Sequence, residues 1–184
     1  MRVISGRAKG RKLVAVPGQS TRPITDRVKE SLFNILGPEV QESNFLDLFA
    51  GTGSVGIEAL SRGADSALFI DSSRAAIKTI HSNLNLTKLA DRAQVLQRDA
   101  FSFLEDPVNQ QFDYIYIAPP QYKGLWQKAL EMLDANLEWL TTDGWVIVQI
   151  HPRELVESNL TQLSEFDRRA YGSTLLLFFQ RDLE

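Results

Sequence analysis

The apolar positions of this chain fall into short runs that alternate with segments of helical spacing. The runs are rich in β-branched and aromatic residues, which is typical of strands buried on both faces of a sheet. They cover residues 45–49, 67–71, 93–97, 112–117 and 145–150. Between them, apolar side chains recur every three or four positions, as in Ile77, Ile80 and Leu84. This alternation predicts an α/β fold with a doubly wound, mostly parallel sheet.

The two ends of the chain depart from this alternation. Residues 2–15 mix short β-prone pieces with glycines and basic residues, which predicts a hairpin or an irregular basic arm. Thr25 suits the N-cap of a helix that Gly37-Pro38 would end. Near the C-terminus we expect a turn at 141–144, a short helix, and an antiparallel hairpin of residues 167–171 and 174–179. We divide the chain into a basic arm with its helix, residues 1–38, and a sheet domain, residues 39–184.

The composition narrows the class of protein. A chain of 184 residues suffices for one domain with a sizeable core, but not for two ordinary domains. It has no cysteine and only two histidines, which excludes disulfides and thiolate chemistry and argues against a histidine metal site. No apolar run has the length of a membrane span, and the N-terminus has no signal-peptide core. We expect a cytoplasmic monomer without a metal or membrane contact.

The charge is distributed unevenly along the chain. Residues 1–30 carry eight basic and two acidic side chains, whereas the rest carries twelve basic and twenty-one acidic ones. A basic arm on an acidic body indicates a polyanionic partner. A solvated tail without a partner would show the same pattern, so the charge alone leaves both interpretations open.

A glycine-rich turn follows the first predicted strand. Gly51, Gly53 and Gly56 have the spacing G-x-G-x-x-G. In that spacing the first glycine allows a sharp turn, the second lets a ligand approach the backbone, and the third lets the helix pack on the strand. Asp47 precedes the turn, at the end of the strand where open α/β sheets bind ligands. We therefore prefer a nucleotide-type site to a purely structural turn.

Two further carboxylates follow the next two strands. Asp71 lies twenty residues past Gly51, where an acidic residue usually takes the ribose hydroxyls of an adenosine-type ligand. Asp99 follows the third strand and could accept a hydrogen bond from an adenine amino group. Both could instead cap the helices that come after them. Three carboxylates at one edge of the sheet nevertheless favour a ligand site.

The order of these features resembles that of class I S-adenosylmethionine-dependent methyltransferases. After the fourth strand comes Ala-Pro-Pro-Gln-Tyr at 118–122, in the place of that class's Pro-Pro element. A closer resemblance is to the RsmD family, on Gly-Arg-Ala-Lys-Gly-Arg-Lys-Leu at 6–13, on residues 22–33 and 47–64, and on Tyr171-Gly172. It covers nearly the whole chain. It implies a Rossmann-like, mostly parallel seven-stranded sheet with an antiparallel C-terminal hairpin and a basic N-terminal extension.

The RsmD family methylates the exocyclic 2-amino group of a guanine in 16S ribosomal RNA. The resemblance therefore implies this activity, S-adenosylmethionine as cofactor, and ribosomal RNA or a small-subunit assembly particle as partner. The implied cofactor site comprises Asp47, Ala50, Gly51, Gly53, Gly56, Asp71, Ser72, Asp99 and Ala100. The implied catalytic segment comprises Ala118, Pro119, Pro120, Gln121 and Tyr122. The implied contacts to RNA phosphates are Arg7, Lys9, Arg11, Lys12, Arg22 and Arg27.

The catalytic segment departs from the pattern of such enzymes, which present Asp or Asn before the prolines and an aromatic residue after them. Here Ala118 stands first, Gln121 takes the aromatic position, and Tyr122 comes one place later. Loss of a positioned acceptor can cost about a hundredfold in rate. Three explanations stay open: the backbone carbonyls suffice, Gln121 or another residue compensates, or the protein binds RNA without methylating it efficiently. Because the other motifs are intact, we expect an active enzyme.

Two other enzyme classes share part of the pattern. A nicotinamide-dependent oxidoreductase has the same glycine spacing and ribose acid, but it does not account for Asp47, Asp99 and the two prolines together. A DNA amine methyltransferase uses a similar Pro-Pro motif, but this chain shows no separate target-recognition domain.

Overall fold

The structure of the protein is a computed structural model that describes residues 1–18 and 23–183. Its strands are β1 (Asn44–Asp47), β2 (Ser66–Asp71), β3 (Ala93–Gln97), β4 (Phe112–Ile117), β5 (Leu140–Ile150), β6 (Leu163–Tyr171) and β7 (Thr174–Arg181). Its α-helices are α1 (Asp26–Leu36), α2 (Ser54–Ser61), α3 (Arg74–Thr87), α4 (Ala100–Leu104) and α5 (Leu125–Ala135). Short 3-10 helices span Gly37–Val40, Ala90–Arg92, Leu137–Trp139 and Pro152–Glu154.

The seven strands form one sheet in the order β3-β2-β1-β4-β5-β7-β6. Strands β1 to β5 pair in parallel, and β7 is antiparallel to both β5 and β6. The predicted mostly parallel sheet with an antiparallel C-terminal hairpin is therefore confirmed.

Both faces of the sheet are covered. On β1, Phe45 lies in the core cluster under α1, α2 and α3, whereas its neighbour Leu46 lies in the cluster under α4 and α5. Successive residues of a strand point to opposite faces, so a strand between two helical layers must be apolar at nearly every position. This is why the central strands are continuous apolar runs in the sequence.

The helix boundaries have local causes. Thr25 caps α1 by accepting the Val28 N–H at 3.3 Å, as predicted, and Gly37 ends the helix with φ +65°. Ser73 caps α3 in the same way, accepting the Ala76 N–H at 3.3 Å. Over residues 1–18 and 23–183, none of the helices combines the length and apolar character needed to cross a membrane.

The turn predicted at 141–144 is wrong, because these residues lie within β5. Leu140 pairs with Phe112 and Trp145 with Tyr114, so residues 141–144 stand opposite Asp113 alone. The extra residues form a bulge, and the Thr141 hydroxyl donates to Oδ1 of Asp113 at 3.1 Å. Thr-Thr-Asp-Gly is a turn signal in isolation, but pairing with β4 on either side keeps the segment in the strand.

Residues 1–18 form an irregular arm with one antiparallel bridge, between Arg2 and Lys12. The Val3 N–H donates to the Arg11 carbonyl at 2.9 Å. Val3, Ala8 and Leu13 are buried in the core cluster under α1, α2 and α3. The arm is thus packed against the sheet domain, and the division of the chain at residue 38 stays a prediction.

The strand order reverses between β1 and β4, which are neighbours in the sheet although β2 and β3 separate them in the chain. The helix after β1 covers one face of the sheet, and the helix after β4 covers the other. Open α/β sheets bind ligands in the crevice at the carboxyl ends of the strands at such a point. The glycine turn after β1 and the segment 118–122 after β4 both begin there.

Candidate active site

The turn after β1 is held by its own backbone and by the end of β2. The Ala50 N–H donates to the Ile70 carbonyl at 2.9 Å, and the Gly53 N–H donates to the Ala50 carbonyl at 2.8 Å. Gly51 and Gly53 have φ +57° and +77°, which residues with a Cβ rarely adopt. The space around a Cβ at Gly51 is open, so the strand-to-helix turn leaves room for a ligand against its backbone.

Gly56 allows α2 to pack closely on β2. A Cβ at this position would lie 2.4 Å from Cε1 of Phe69, which is fully buried on β2. Only glycine lets the helix approach the strand this closely, as the spacing of the three glycines predicts.

Asp47 is a buried carboxylate at the end of β1, with 1% of its surface exposed. Its Oδ2 accepts the Gly56 N–H at 3.2 Å, but its buried Oδ1 has no hydrogen-bond partner among the described residues. Burial raises the pKa of this carboxyl to about 8; the Gly56 hydrogen bond opposes the rise, and the charge of Asp71 adds to it. An unpaired buried oxygen beside a glycine turn fits a ligand that carries positive charge, such as S-adenosylmethionine.

Asp71 joins the turn after β1 to the start of α3. Its Oδ2 accepts the Gly51 N–H at 2.9 Å, and its Oδ1 accepts the Ser73 N–H at 2.8 Å. The cap of α3 is Ser73 rather than Asp71. Asp71 is half-buried and the adjacent Ser72 is exposed, so a ribose could reach this edge of the loop.

Asp99 caps α4, which is the structural alternative that the sequence left open. Its Oδ1 accepts the Ser102 N–H at 2.9 Å. Asp99 is exposed, and Ala100 is buried as the first residue of α4. An adenine contact by Asp99 stays a prediction.

The segment 118–122 after β4 rises from the core to the surface. Ala118 packs against the core cluster under α1, α2 and α3, and Pro119 is half-buried. Pro120 and Gln121 are exposed, and Tyr122 is 63% exposed. Within this segment, the polar groups next to the sheet are backbone carbonyls, because Ala118 carries no polar group in its side chain.

Two residues that the sequence analysis did not assign to the site also contact this segment. Glu154 accepts the Tyr122 N–H through Oε1 at 2.7 Å. The ring of His151 lies 5.8 Å from the ring of Tyr122, centroid to centroid. His151 and Glu154 form a capping box in the structure, but the sequence signature of that motif begins with Ser or Thr, so His-Pro-Arg-Glu carries no capping-box signal for this turn or for its contact with Tyr122.

The arm places its basic side chains in solvent. Arg7, Lys9, Arg11 and Lys12 are exposed, as is Arg27 on α1, whereas Arg22 lies outside the described residues. The backbone beneath them is fixed: the Arg7 N–H donates to the Ser61 carbonyl at 2.8 Å. A fixed basic surface can meet phosphates without first being ordered.

A buried ion pair that the sequence analysis missed ties this arm to α2. Lys29 on α1 and Glu58 on α2 lie 3.4 Å apart, Nζ to Oε2, and Lys29 also donates to the Arg2 carbonyl and to Oγ of Ser54. Glu58 accepts in addition from Arg62 at 2.9 Å. Burial lowers the pKa of Lys29, and the charge of Glu58 opposes this change. Ser54 begins α2, so the network reaches the glycine turn.

The strand order, the glycine turn with Asp47, and the Pro-Pro segment after β4 together define a class I methyltransferase, the class that uses S-adenosylmethionine. The chain belongs to the family described as Conserved hypothetical protein 95, whose model matches residues 1–180. The predicted resemblance to the RsmD family is confirmed by this match and by the relatives below.

Three relatives illustrate the match. The YlbH protein of Bacillus subtilis is 42% identical over 184 residues, which cover 98% of this chain and 99% of YlbH. Ribosomal RNA small subunit methyltransferase D of Haemophilus influenzae is 36% identical over 169 residues, covering 90% of this chain and 87% of that protein. The solved structure of the Escherichia coli protein yhhF has a TM-score of 0.87 at 33% identity, covering 99% and 98% of the two chains.

Proposed function

We propose that the protein transfers a methyl group from S-adenosylmethionine to the exocyclic 2-amino group of a guanine in 16S ribosomal RNA. The observation that carries this proposal is the position of the two loops. The glycine turn and the segment 118–122 follow the paired strands β1 and β4, where Asp47 stands opposite Tyr116. A donor held by the first loop therefore lies next to an acceptor held by the second.

The donor side would be formed by three carboxylates and the turn. S-adenosylmethionine, when bound, supplies an electrophilic methyl group on a positively charged sulfonium. Asp47 and the backbone of Gly51 and Gly53 would hold its amino-acid end. Asp71 would accept from the ribose hydroxyls, and Asp99 with Ala100 would contact the adenine.

The acceptor side would align the guanine amine for a direct displacement. The amine nitrogen would form a bond to the methyl carbon as the carbon–sulfur bond breaks, S-adenosylhomocysteine would leave as a neutral thioether, and the methylated amine would lose a proton to solvent. Because the sulfonium already carries the positive charge, this displacement needs alignment more than a strong base. The carbonyls of Ala118 and Pro119 would accept the amine hydrogens, with Gln121 adding an amide oxygen. Tyr122 would stack on a base that has left its helix.

The arm would supply affinity for ribosomal RNA. Arg7, Lys9, Arg11 and Lys12 share one short exposed segment, and Arg22 and Arg27 would extend the contact. Phosphate contacts fix the position of the RNA without choosing the sequence. The substrate would be ribosomal RNA or a small-subunit assembly particle, met in the cytoplasm by a monomer.

Ala118 favours one alternative, an RNA-binding homologue with weak or lost activity. The test is incubation with radiolabelled S-adenosylmethionine and, separately, naked 16S ribosomal RNA, small-subunit particles and double-stranded DNA. Label in one of the ribosomal substrates supports the proposal. RNA binding without label supports the silent homologue, and label in DNA alone supports a DNA amine methyltransferase.

A further inference from the structure

One carboxylate joins the segment after β4 to the turn after β5. Glu154 accepts the Tyr122 N–H through Oε1 at 2.7 Å and the His151 N–H through Oε2 at 2.9 Å. Strands β4 and β5 are parallel neighbours, with Ile117 opposite Val148 near their ends. Glu154 therefore fixes two loops relative to each other at the same edge of the sheet.

The bond to Glu154 restrains Tyr122 in an unfavourable backbone conformation. Tyr122 has φ +62°, and this left-handed region costs free energy for any residue with a Cβ. Such a conformation persists where surrounding contacts fix it. Tyr122 is 63% exposed, so core packing contributes little. Its ring meets His151, and its backbone is held by the hydrogen bond to Glu154.

The restraint brings two rings together. The ring planes of Tyr122 and His151 are inclined by 40°, with centroids 5.8 Å apart. The His151 ring is itself oriented, because its Nδ1 accepts the Arg153 N–H at 3.1 Å. A pair of oriented rings next to Pro119-Pro120 is a surface on which an unstacked base can lie.

We propose that Glu154 is a positioning residue that holds Tyr122 against His151, so that the target base stacks on this pair. The proposal rests on the proposed function, since the base comes from the RNA. The role requires a carboxylate, because each oxygen accepts from a different N–H group. Glutamine would keep one acceptor and turn an NH2 group towards the other N–H.

The first test compares Glu154→Ala and Glu154→Gln with Glu157→Ala, a control that removes an exposed carboxylate from the same segment. Single-turnover methyl transfer to small-subunit particles should fall by about 10- to 100-fold in Glu154→Ala and by less in Glu154→Gln. Calorimetric affinity for S-adenosylhomocysteine should stay within about twofold of wild type in all three. An unchanged transfer rate in Glu154→Ala would overturn the proposal.

A second test separates positioning from a general structural role. If Glu154 acts through the Tyr122–His151 pair, adding Glu154→Ala to the double variant Tyr122→Ala/His151→Ala should lower the transfer rate by no more than about twofold. A further loss of the full size seen in Glu154→Ala alone would show that Glu154 acts through residues outside this pair, which would also overturn the proposal.

Amide hydrogen exchange of residues 118–124, measured without RNA, gives a readout that does not need activity. Exchange should be faster in Glu154→Ala than in wild type or Glu157→Ala. Equal exchange in all three would overturn the positioning role, whatever the activity. Faster exchange in Glu154→Ala together with an inactive wild type would support the positioning of the loop and contradict the proposed function.

Discussion

The Nζ atom of Lys29 lies 3.4 Å from Oε2 of Glu58, and both side chains are fully buried. Lys29 belongs to α1, which follows the basic arm, and Glu58 belongs to α2, which follows the glycine turn. Glu58 also accepts the N–H groups of Ile4 and Ser5 at 2.9 and 3.0 Å. The ion pair therefore connects the surface proposed to bind RNA with the helix that begins at the donor site.

Glu58→Gln should destabilise the protein by about 3–5 kcal/mol, because it leaves the buried Lys29 without its counter-charge. The measurement is the free energy of unfolding in urea. The matched control is Glu30→Ala, which removes an exposed carboxylate from α1 and should cost no more than about 0.5 kcal/mol. Equal effects of the two substitutions would show that the pair adds nothing to stability.

Asp47→Asn should change how stability depends on pH. The pKa of Asp47 is about 8 in the folded protein and 3.8 without its surroundings. Between these values the folded chain holds a proton that the unfolded chain has lost, so this group's contribution to stability falls as the pH rises. Asparagine does not titrate, so the stability of the variant relative to wild type should rise between about pH 4 and pH 8. Urea unfolding across this range gives the difference, and a constant difference would refute the account of Asp47.

Asp71→Ala should weaken the binding of S-adenosylhomocysteine by about 10- to 100-fold, because a charged acceptor for the ribose and the Gly51 N–H is lost. Calorimetry measures the affinity. Asp91→Ala, which removes an exposed carboxylate from the 3-10 helix Ala90–Arg92, should leave it unchanged. If Asp71→Ala also leaves it unchanged, the ribose assignment is wrong.

Lys12→Ala should weaken RNA binding and reduce its dependence on salt. Each lost phosphate contact should lower the slope of log affinity against log salt by about 0.7–0.9. Titrations with labelled ribosomal RNA at several salt concentrations measure this slope. Arg169→Ala, an exposed site on the edge strand β6, is the control. If wild type and Lys12→Ala show the same slope, Lys12 does not contact an RNA phosphate.

The sequence predicted those parts of the fold that local patterns determine. Thr25 and the central apolar runs are examples, because capping and two-sided burial each leave a signal within a few residues. The turn at 141–144 was wrong because its residues favour a turn locally, while pairing with Phe112 and Tyr114 keeps them in β5. Asp99 shows the same limit in the candidate site. An aspartate after a strand suits both a helix cap and a ligand contact, and the sequence alone does not distinguish the two.

The contacts that link distant elements could not be predicted in this way. Lys29 looks like a charged position on an amphipathic helix, and Glu58 is a lone charge in an apolar helix. Only the tertiary arrangement of α1 and α2 makes them a buried pair. Likewise, the contact of Glu154 with Tyr122 depends on how β4 and β5 align. Predicting such pairs requires the tertiary arrangement, since neither partner carries a local signal for the other.

The most direct test of the proposed function is to identify the product. Small-subunit particles would be incubated with the protein and S-adenosylmethionine carrying a deuterated methyl group, and the RNA digested to nucleosides for mass spectrometry. We predict deuterated N2-methylguanosine from 16S ribosomal RNA. Deuterium in another nucleoside, or in none while the particles bind the protein, would contradict the proposed reaction.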